Sequence, residues 1–349
     1  MRALTIMPGV ADSARVDDVP EPPPSDGAVL VRALALGVCG TDREIVAGEY
    51  GSAPPGQKRL ILGHESFGQV EEAPKNCGLA PGDLVVGIVR HPDPVPCSSC
   101  AAGEWDMCRN GRYTEHGIKE RNGFGAEYFR LEPNFAIKLD PALGLRGVLM
   151  EPTSVVAKAW DQVERIGRRS SSWQGRTAVI TGGGPIGQLA ALLGKQRGYE
   201  VHIVDRNKEG PKPVISRALG AHYHNALADL GDMKPDVLIE CTGAVAVVRD
   251  VLERAAPDGI ICLTGVTAPG HPVELDLGLL NRLWVLNNQV VFGSVNANRA
   301  HWNMAAAALA KAEPGWLDRL ITRREPLDHW ADALKYRSQD IKVIIDFAL

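Results

Sequence analysis

Three residues far apart in the chain carry side chains that a catalytic zinc ion takes as ligands. They are Cys39 in Gly37-Val38-Cys39-Gly40-Thr41-Asp42, His64 in Gly63-His64-Glu65, and Glu151 in Met150-Glu151-Pro152. A catalytic zinc uses about three protein donors drawn from Cys, His and carboxylate, and keeps one position for water or substrate. Taken singly, each residue also suits a plainer role: a small buried thiol, a satisfied core histidine, a surface carboxylate. A second chemistry is written in Gly182, Gly184 and Gly187, a G-x-G-x-x-G directly after the apolar run TAVIT. In that pattern the first glycine permits a tight turn, the second admits pyrophosphate to the backbone, and the third lets a helix pack on the sheet. Asp205 lies roughly 20 residues further on, where a carboxylate meets the hydroxyls of an adenosine ribose. That carboxylate favours NAD and repels the 2′-phosphate of NADP, whereas Arg206 and Lys208 suit either that phosphate or plain solvent. NAD is therefore the expected cofactor and NADP the alternative.

The elements that must hold these residues follow from texture along the chain. A length of 349 residues fits two domains of ordinary size. The first ~150 residues are rich in Pro and Gly, with short strand-like runs such as AVLVRALALGV and DLVVGIV, as in a loop-rich β domain. Beyond Thr177 six candidate strands follow: TAVITG, VHIVD, AHYH, DVLIECTG, GIICLTGV and QVVFGSV. Helix-like stretches such as PIGQLAALLGKQRG separate most of them, so a parallel α/β sheet is expected. The last stretch, with HWNMAAAALAKA and KVIIDFAL, reads as a return to the first domain.

Bulk properties narrow the setting. Hydrophobic residues make up 45% and charged residues 23%, with a formal net charge of −4. No Lys/Arg run stands out, so neither nucleic acid nor an anionic membrane is an expected partner. No apolar run approaches the roughly 20 residues that span a bilayer. The start does not read as a signal peptide, so a cytoplasmic location is expected. Three of the seven cysteines, Cys97, Cys100 and Cys108, cluster in one short segment. Without a secretion signal, that clustering points to metal or redox chemistry rather than a disulfide framework.

G-x-C-G-T-D followed by G-H-E-x-x-G resembles the zinc-containing medium-chain alcohol and polyol dehydrogenases, over essentially the whole chain. Within that family, Tyr113-Thr114-Glu115-His116-Gly117-Ile118, the run MEPTSVVAKA and Gly293-Ser294-Val295-Asn296 look most like microbial glucose dehydrogenases. The resemblance implies a GroES-like catalytic domain, residues 1–155 completed by 298–349, and a doubly wound Rossmann domain, residues 156–297. It implies that Cys39, His64 and Glu151 hold or approach zinc, with Glu65 on the ion or its water. Thr41 would pass on a proton, and Thr41, Glu115, Glu151 and Asn296 would contact substrate. The expected dinucleotide contacts are Gly182, Gly184, Pro185, Ile186, Gly187, Asp205, Arg206, Thr242, Thr264, Gly265, Val266, Ser294 and Asn296. A small residue expected six positions after the G-H-E-x-x-G segment is Pro74 here, a departure that leaves the zinc assignment intact.

Members of the family often bind a structural zinc through C-x2-C-x2-C-x7-C. Cys97, Cys100 and Cys108 match the last three positions and Pro94 stands at the first. Four donors are usual, so Asp93 or His91 is the expected fourth; the alternative is a lobe without metal. The implied reaction is reversible hydride transfer from a carbinol carbon to nicotinamide, with zinc as Lewis acid. An aldose such as glucose, oxidised at C1 to a lactone, is the expected substrate, and a polyol or other secondary alcohol the alternative. A non-catalytic nicotinamide-binding redox sensor is the reading from another class. A homo-oligomer, dimer or tetramer, is expected.

Overall fold

A computed structural model of the chain describes residues 1–267, 270 and 272–349. It divides into two compact units, one joining Met1–Ser154 to Asn296–Leu349, the other running Val155–Val295. Val155 thus lies with the second unit, and Asn296 and Ala297 with the first.

The main sheet of the first unit is built on the strand Val29–Val38, whose alternating residues Val29, Val31, Ala33 and Ala35 are buried. Across the sheet the strands run Ala136–Lys138, Leu84–Gly87, Glu65–Glu72, Val29–Val38, Lys342–Asp346 and Ile321–Glu325, with Tyr128–Leu131 also pairing with Val29–Val38. The closing run of the sequence therefore inserts beside a strand laid down some three hundred residues earlier. Gly37 pairs with Glu65 across one edge of Val29–Val38, and Val38 pairs with Val343 across the other. This register collects Cys39, Glu65 and Lys342 at one end of three adjacent strands.

The second unit is a six-stranded, wholly parallel sheet in the order His222–His224, Glu200–Val204, Thr177–Thr181, Val237–Glu240, Ile260–Leu263, Val290–Gly293. All six expected strands are present, in the order of a doubly wound dinucleotide-binding sheet. Their near-continuous apolar runs suit strands buried on both faces, and Val179, Leu238 and Ile261 form part of a fully buried core. The helix Pro185–Gln196 starts with proline at its first turn, where a missing N–H costs nothing, and buries Leu189, Ala190 and Leu193. No described helix is long and apolar enough to cross a membrane.

Candidate active site

Strand register assembles the first metal constellation. Cys39 Sγ, one ring nitrogen of His64 and one carboxylate oxygen of Glu65 all lie within 4.8 Å of one another. The closeness requires glycine at position 37, because a Cβ there would stand 1.9 Å from Glu65 Oε2. Cys39 caps the helix Gly40–Val46, and its N–H donates to Asp42 Oδ2 at 2.8 Å. The other Asp42 oxygen stands 3.3 Å from His64 Nδ1. The pair falls outside hydrogen-bond alignment, and neither atom has another partner. A carboxylate facing Nδ1 orients the ring and leaves Nε2 for a cation, as behind most metal-bound histidines. Burial pushes the His64 imidazole down, but Asp42 and Cys39 outweigh it and hold its pKa well above the ordinary value.

Glu65 is anchored from behind by a cation of the protein itself. Lys342, 1% exposed, donates to Glu65 Oε1 at 2.7 Å, to Glu65 Oε2 at 2.5 Å and to the Val38 carbonyl at 3.1 Å. Burial lowers the ammonium pKa, yet Glu65, Cys39 and Glu151 together raise it above its usual value. Glu151 occupies the first turn of the helix Met150–Gly167. Burial pushes its carboxyl up to about 7, with Glu65 and Asp42 adding and His64 and Lys342 opposing. Two of those groups, His64 and Glu65, belong to the constellation, and Asp42 and Lys342 adjoin it; Glu151 acts on it electrostatically, but its carboxylate is not among the donor atoms gathered there. Thr41 is half-buried at the second position of Gly40–Val46. A thiol, a carboxylate-oriented imidazole and a carboxylate form a donor set that fits Zn²⁺.

Glu115 and Asn296 are brought into direct contact, Asn296 Nδ2 donating to Glu115 Oε1 at 2.9 Å. Glu115 is buried in the strand Thr114–His116, and Arg90 Nε donates to the same oxygen at 3.0 Å. The Arg90 guanidinium lies over the Tyr113 ring, 3.8 Å from its centroid, and is thereby fixed in place. Asn296 holds a left-handed backbone with φ +59°, a conformation that Asn tolerates better than most residues.

In the second unit the glycine turn meets the demands that a dinucleotide makes. Gly182 has φ +94°. A Cβ on Gly187 would stand 1.7 Å from the Gly182 carbonyl oxygen, while one on Gly184 would meet nothing within 4 Å. The second glycine thus opens to space, and the third lies against backbone. Pro185 and Ile186 form the first turn of the following helix. Asp205 does not point freely outward. Its Oδ2 accepts from Gly183 N at 2.7 Å and faces Lys212 Nζ at 3.5 Å; its Oδ1 accepts from Asn207 N at 2.9 Å and from the Tyr223 hydroxyl at 3.5 Å. The carboxylate therefore braces the turn, while Arg206 and Lys208 beside it are exposed.

Thr242, Thr264 and Gly265 gather around one buried residue, Glu240. Its carboxylate accepts from Thr242 N at 2.7 Å and Gly243 N at 3.1 Å, and its carbonyl from Thr264 N at 2.8 Å and Gly265 N at 3.1 Å. Val266 is exposed and Ser294 buried, both past the carboxyl ends of strands.

The sulfur atoms of Cys97, Cys100 and Cys108 lie within 4.8 Å of one another, but neither Asp93 nor His91 joins them. Asp93 Oδ1 accepts from Val95 N at 2.8 Å, and its Oδ2 from Asn110 Nδ2 at 2.7 Å and Arg112 Nε at 3.1 Å. His91 stacks on Phe135 at 3.8 Å between centroids. Backbone N–H groups, Arg109 first, lower the Cys97 thiol to about 6, and burial raises that of Cys100 to about 11.

Four residues of these sites, Asp42, Arg90, Glu240 and Lys342, escaped sequence reasoning. Asp42 carried a signal, standing three positions after Cys39 as a helix-capping carboxylate does. Lys342 carried another, a charge opening the mostly apolar run KVIIDFAL, and Glu240 a third in DVLIECTG. Arg90 carried none, because its partner is chosen by side-chain direction alone.

Residues 25–141 match the family model of the alcohol dehydrogenase GroES-like domain, and residues 145–347 that of the glucose dehydrogenase C-terminus. The chain is 38% identical over 357 residues to a glucose 1-dehydrogenase of Methanocella arvoryzae, covering 99% of each. It is 38% identical over 351 residues to the glucose 1-dehydrogenase of Thermoproteus tenax, with the same coverage. Among solved structures it is similar to Haloferax mediterranei glucose dehydrogenase in complex with NADP, Zn and gluconolactone, at a TM-score of 0.91, 30% identity and full coverage of both chains.

Proposed function

We propose that this chain, which belongs to the glucose dehydrogenase group of the zinc-dependent, GroES-like alcohol dehydrogenases, oxidises an aldose at C1 to its lactone with NAD(P). The observation that carries this reading is a zinc-type donor set in the same compact unit as the network of buried Glu115 and Arg90 with half-buried Asn296. When bound, zinc supplies a Lewis acid for the substrate oxygen and nicotinamide accepts the hydride. Cys39 and His64, with a carboxylate of Glu65 or Glu151, would hold the ion, and Asp42 faces Nδ1 of the His64 ring. Lys342 tethers Glu65 from behind and fixes the direction of its carboxylate. The Thr41 hydroxyl takes the substrate's hydroxyl proton and passes it outward. Glu115 keeps lone pairs beyond those used by Arg90 and Asn296, and these accept from neighbouring sugar hydroxyls. A site so built discriminates strongly against analogues that lack those hydroxyls.

A panel of aldoses, polyols and simple alcohols, run with both NAD and NADP, tests the reading. An aldose such as glucose is expected to show the highest kcat/KM. Activity on sorbitol with none on any aldose would replace it by the polyol reading. Glu115→Ala is expected to raise the aldose KM about 10- to 100-fold, the worth of a hydrogen bond to a charged group. Zinc content and cofactor affinity should stay as in the native chain, and Glu115→Gln should fall between the two.

Both dinucleotides are expected to serve. Arg206 and Lys208 suit a 2′-phosphate, and the engaged Asp205 carboxylate repels it less than a free one would. Arg206→Ser should lower kcat/KM for NADP about tenfold and that for NAD less than twofold, the cost of one exposed charge-assisted contact. Equal losses with both would show that Arg206 does not read the phosphate.

The cysteine lobe holds a second zinc through its three thiolates and a fourth donor other than Asp93, such as water. Metal analysis of the dialysed protein should give about two zinc ions per chain, and Cys100→Ser one. A single zinc in the active native chain would show the lobe to be metal-free. The chain self-associates through the exposed edge of the parallel sheet, where Val285 and Leu286 of the helix Leu277–Leu286 are 64% and 63% exposed. A monomer mass by light scattering would exclude this. A reducing, cytoplasmic setting suits seven cysteines that are all unpaired.

A further inference from the structure

The strands Glu200–Val204 and His222–His224 pair in parallel at the edge of the six-stranded sheet, with His202 opposite His222 and Val204 opposite His224. Residues two apart in a strand share a face. Glu200, His202, His222 and His224 therefore project on one side of the sheet. Glu200 and His222 open their strands, whereas His224 closes its strand and its carbonyl accepts from Asp205 N at 3.0 Å.

His202 is 5% exposed. Its Nδ1 stands 2.9 Å from His224 Nε2. Its Nε2 is buried with no hydrogen-bond partner. Glu200 Oε1 nevertheless lies only 3.4 Å from that nitrogen, and the same oxygen lies 3.5 Å from His222 Nε2. All three donor atoms fall within 4.8 Å of one another. The His202 and His222 rings stack, 4.7 Å between centroids and 24° between planes, so both present Nε2 on the same side. Zinc–ligand bonds of about 2.0–2.2 Å at tetrahedral angles set donor atoms roughly 3.4 Å apart, which is the spacing around Glu200 Oε1.

We propose that Glu200, His202 and His222 bind a divalent d-block cation, Zn²⁺ foremost, at a site made of different residues from the Cys39 constellation and the cysteine lobe. Two imidazoles and one carboxylate select such a cation over Mg²⁺ or Ca²⁺, which take oxygen ligands. His224 acts as the outer partner: with the Nδ1 proton of His202 donated to it, the lone pair of His202 stands on Nε2, facing the cation. Glu200 and His222 are each 60% exposed in their side chains, which leaves an entry path and room for water as fourth ligand. The bound ion would staple the three-residue edge strand to its neighbour and so stabilise the folded unit.

The test titrates Zn²⁺ alone into the dialysed protein that retains its tightly held zinc, in the native chain, in His222→Ala and in Glu200→Gln. Total zinc, retained plus taken up, is expected to be one equivalent higher in the native chain than in either variant, or the last equivalent to bind at least tenfold more weakly in the variants. Saturating Zn²⁺ should raise Tm of the native chain and not of His222→Ala, while turnover stays unchanged. Both substituted side chains are solvent-exposed, so the variants should fold, and Tm without added zinc checks this. Equal total zinc, equal affinity and equal Tm response in all three proteins would overturn the proposal.

Discussion

Cys39→Ser should lower kcat by about three orders of magnitude while leaving dinucleotide binding within twofold of the native value. A serine hydroxyl stays protonated at neutral pH and is a poor zinc ligand, whereas a cysteine beside a cation binds as the thiolate. Loss of Cys39 removes the only thiolate of the set and leaves one imidazole and carboxylates, a weaker set of donors for the ion. A metal Lewis acid contributes several kcal/mol to the transition state, and about 4 kcal/mol corresponds to a factor of roughly 10³. The glycine turn belongs to the other compact unit and is built from other residues, so dinucleotide affinity reports that the chain remains folded. Metal analysis should show one zinc fewer than in the native protein, with the cysteine-lobe zinc retained. Near-native turnover by Cys39→Ser lacking that zinc would refute the metal assignment.

Lys342→Met should destabilise the first unit by about 3–5 kcal/mol, the usual cost of stripping one partner from a buried ion pair. Both side chains of the Lys342–Glu65 pair are 1% exposed, and the ammonium meets both carboxylate oxygens and a carbonyl. Methionine fills the volume of the lysine stem but supplies no donor, so the buried Glu65 carboxylate loses the ammonium that both of its oxygens accept from. The added change Glu65→Gln removes that charge and should return most of the loss, since a well-packed neutral pair often matches a buried ionic one. Urea midpoints at constant m-value, measured at one fixed zinc concentration, read the effect. If the single variant unfolds within about 0.5 kcal/mol of the native chain, zinc rather than Lys342 supplies the charge that Glu65 needs.

Local pattern was enough for the sheet of the second unit. Its inner strands are short apolar runs bounded by turn residues, and the hydrophobic pattern that marks them is also what buries them, whereas the edge strand His222–His224 is polar. The G-x-G-x-x-G turn was equally legible, because the need for glycine at Gly182 and Gly187 is a backbone matter within a few residues. Residue types and their segments also singled out Cys39, His64 and the three lobe cysteines as candidate metal ligands, and the fold gathers their donor atoms in two clusters. Side-chain direction and long-range register were decided only by the tertiary structure. Lys342 meets Glu65 across 277 positions because the last strand slots beside Val29–Val38, and no local preference encodes that pairing. Asp205 ends its strand where sequence placed it, but turns its carboxylate onto Gly183, Asn207 and Lys212. Asp93 stands next to the lobe in sequence, yet spends its oxygens on Val95, Asn110 and Arg112 and stays off the thiols. In each case the side chain takes the nearest available donor in three dimensions, since an unpaired polar group costs more once buried than in water.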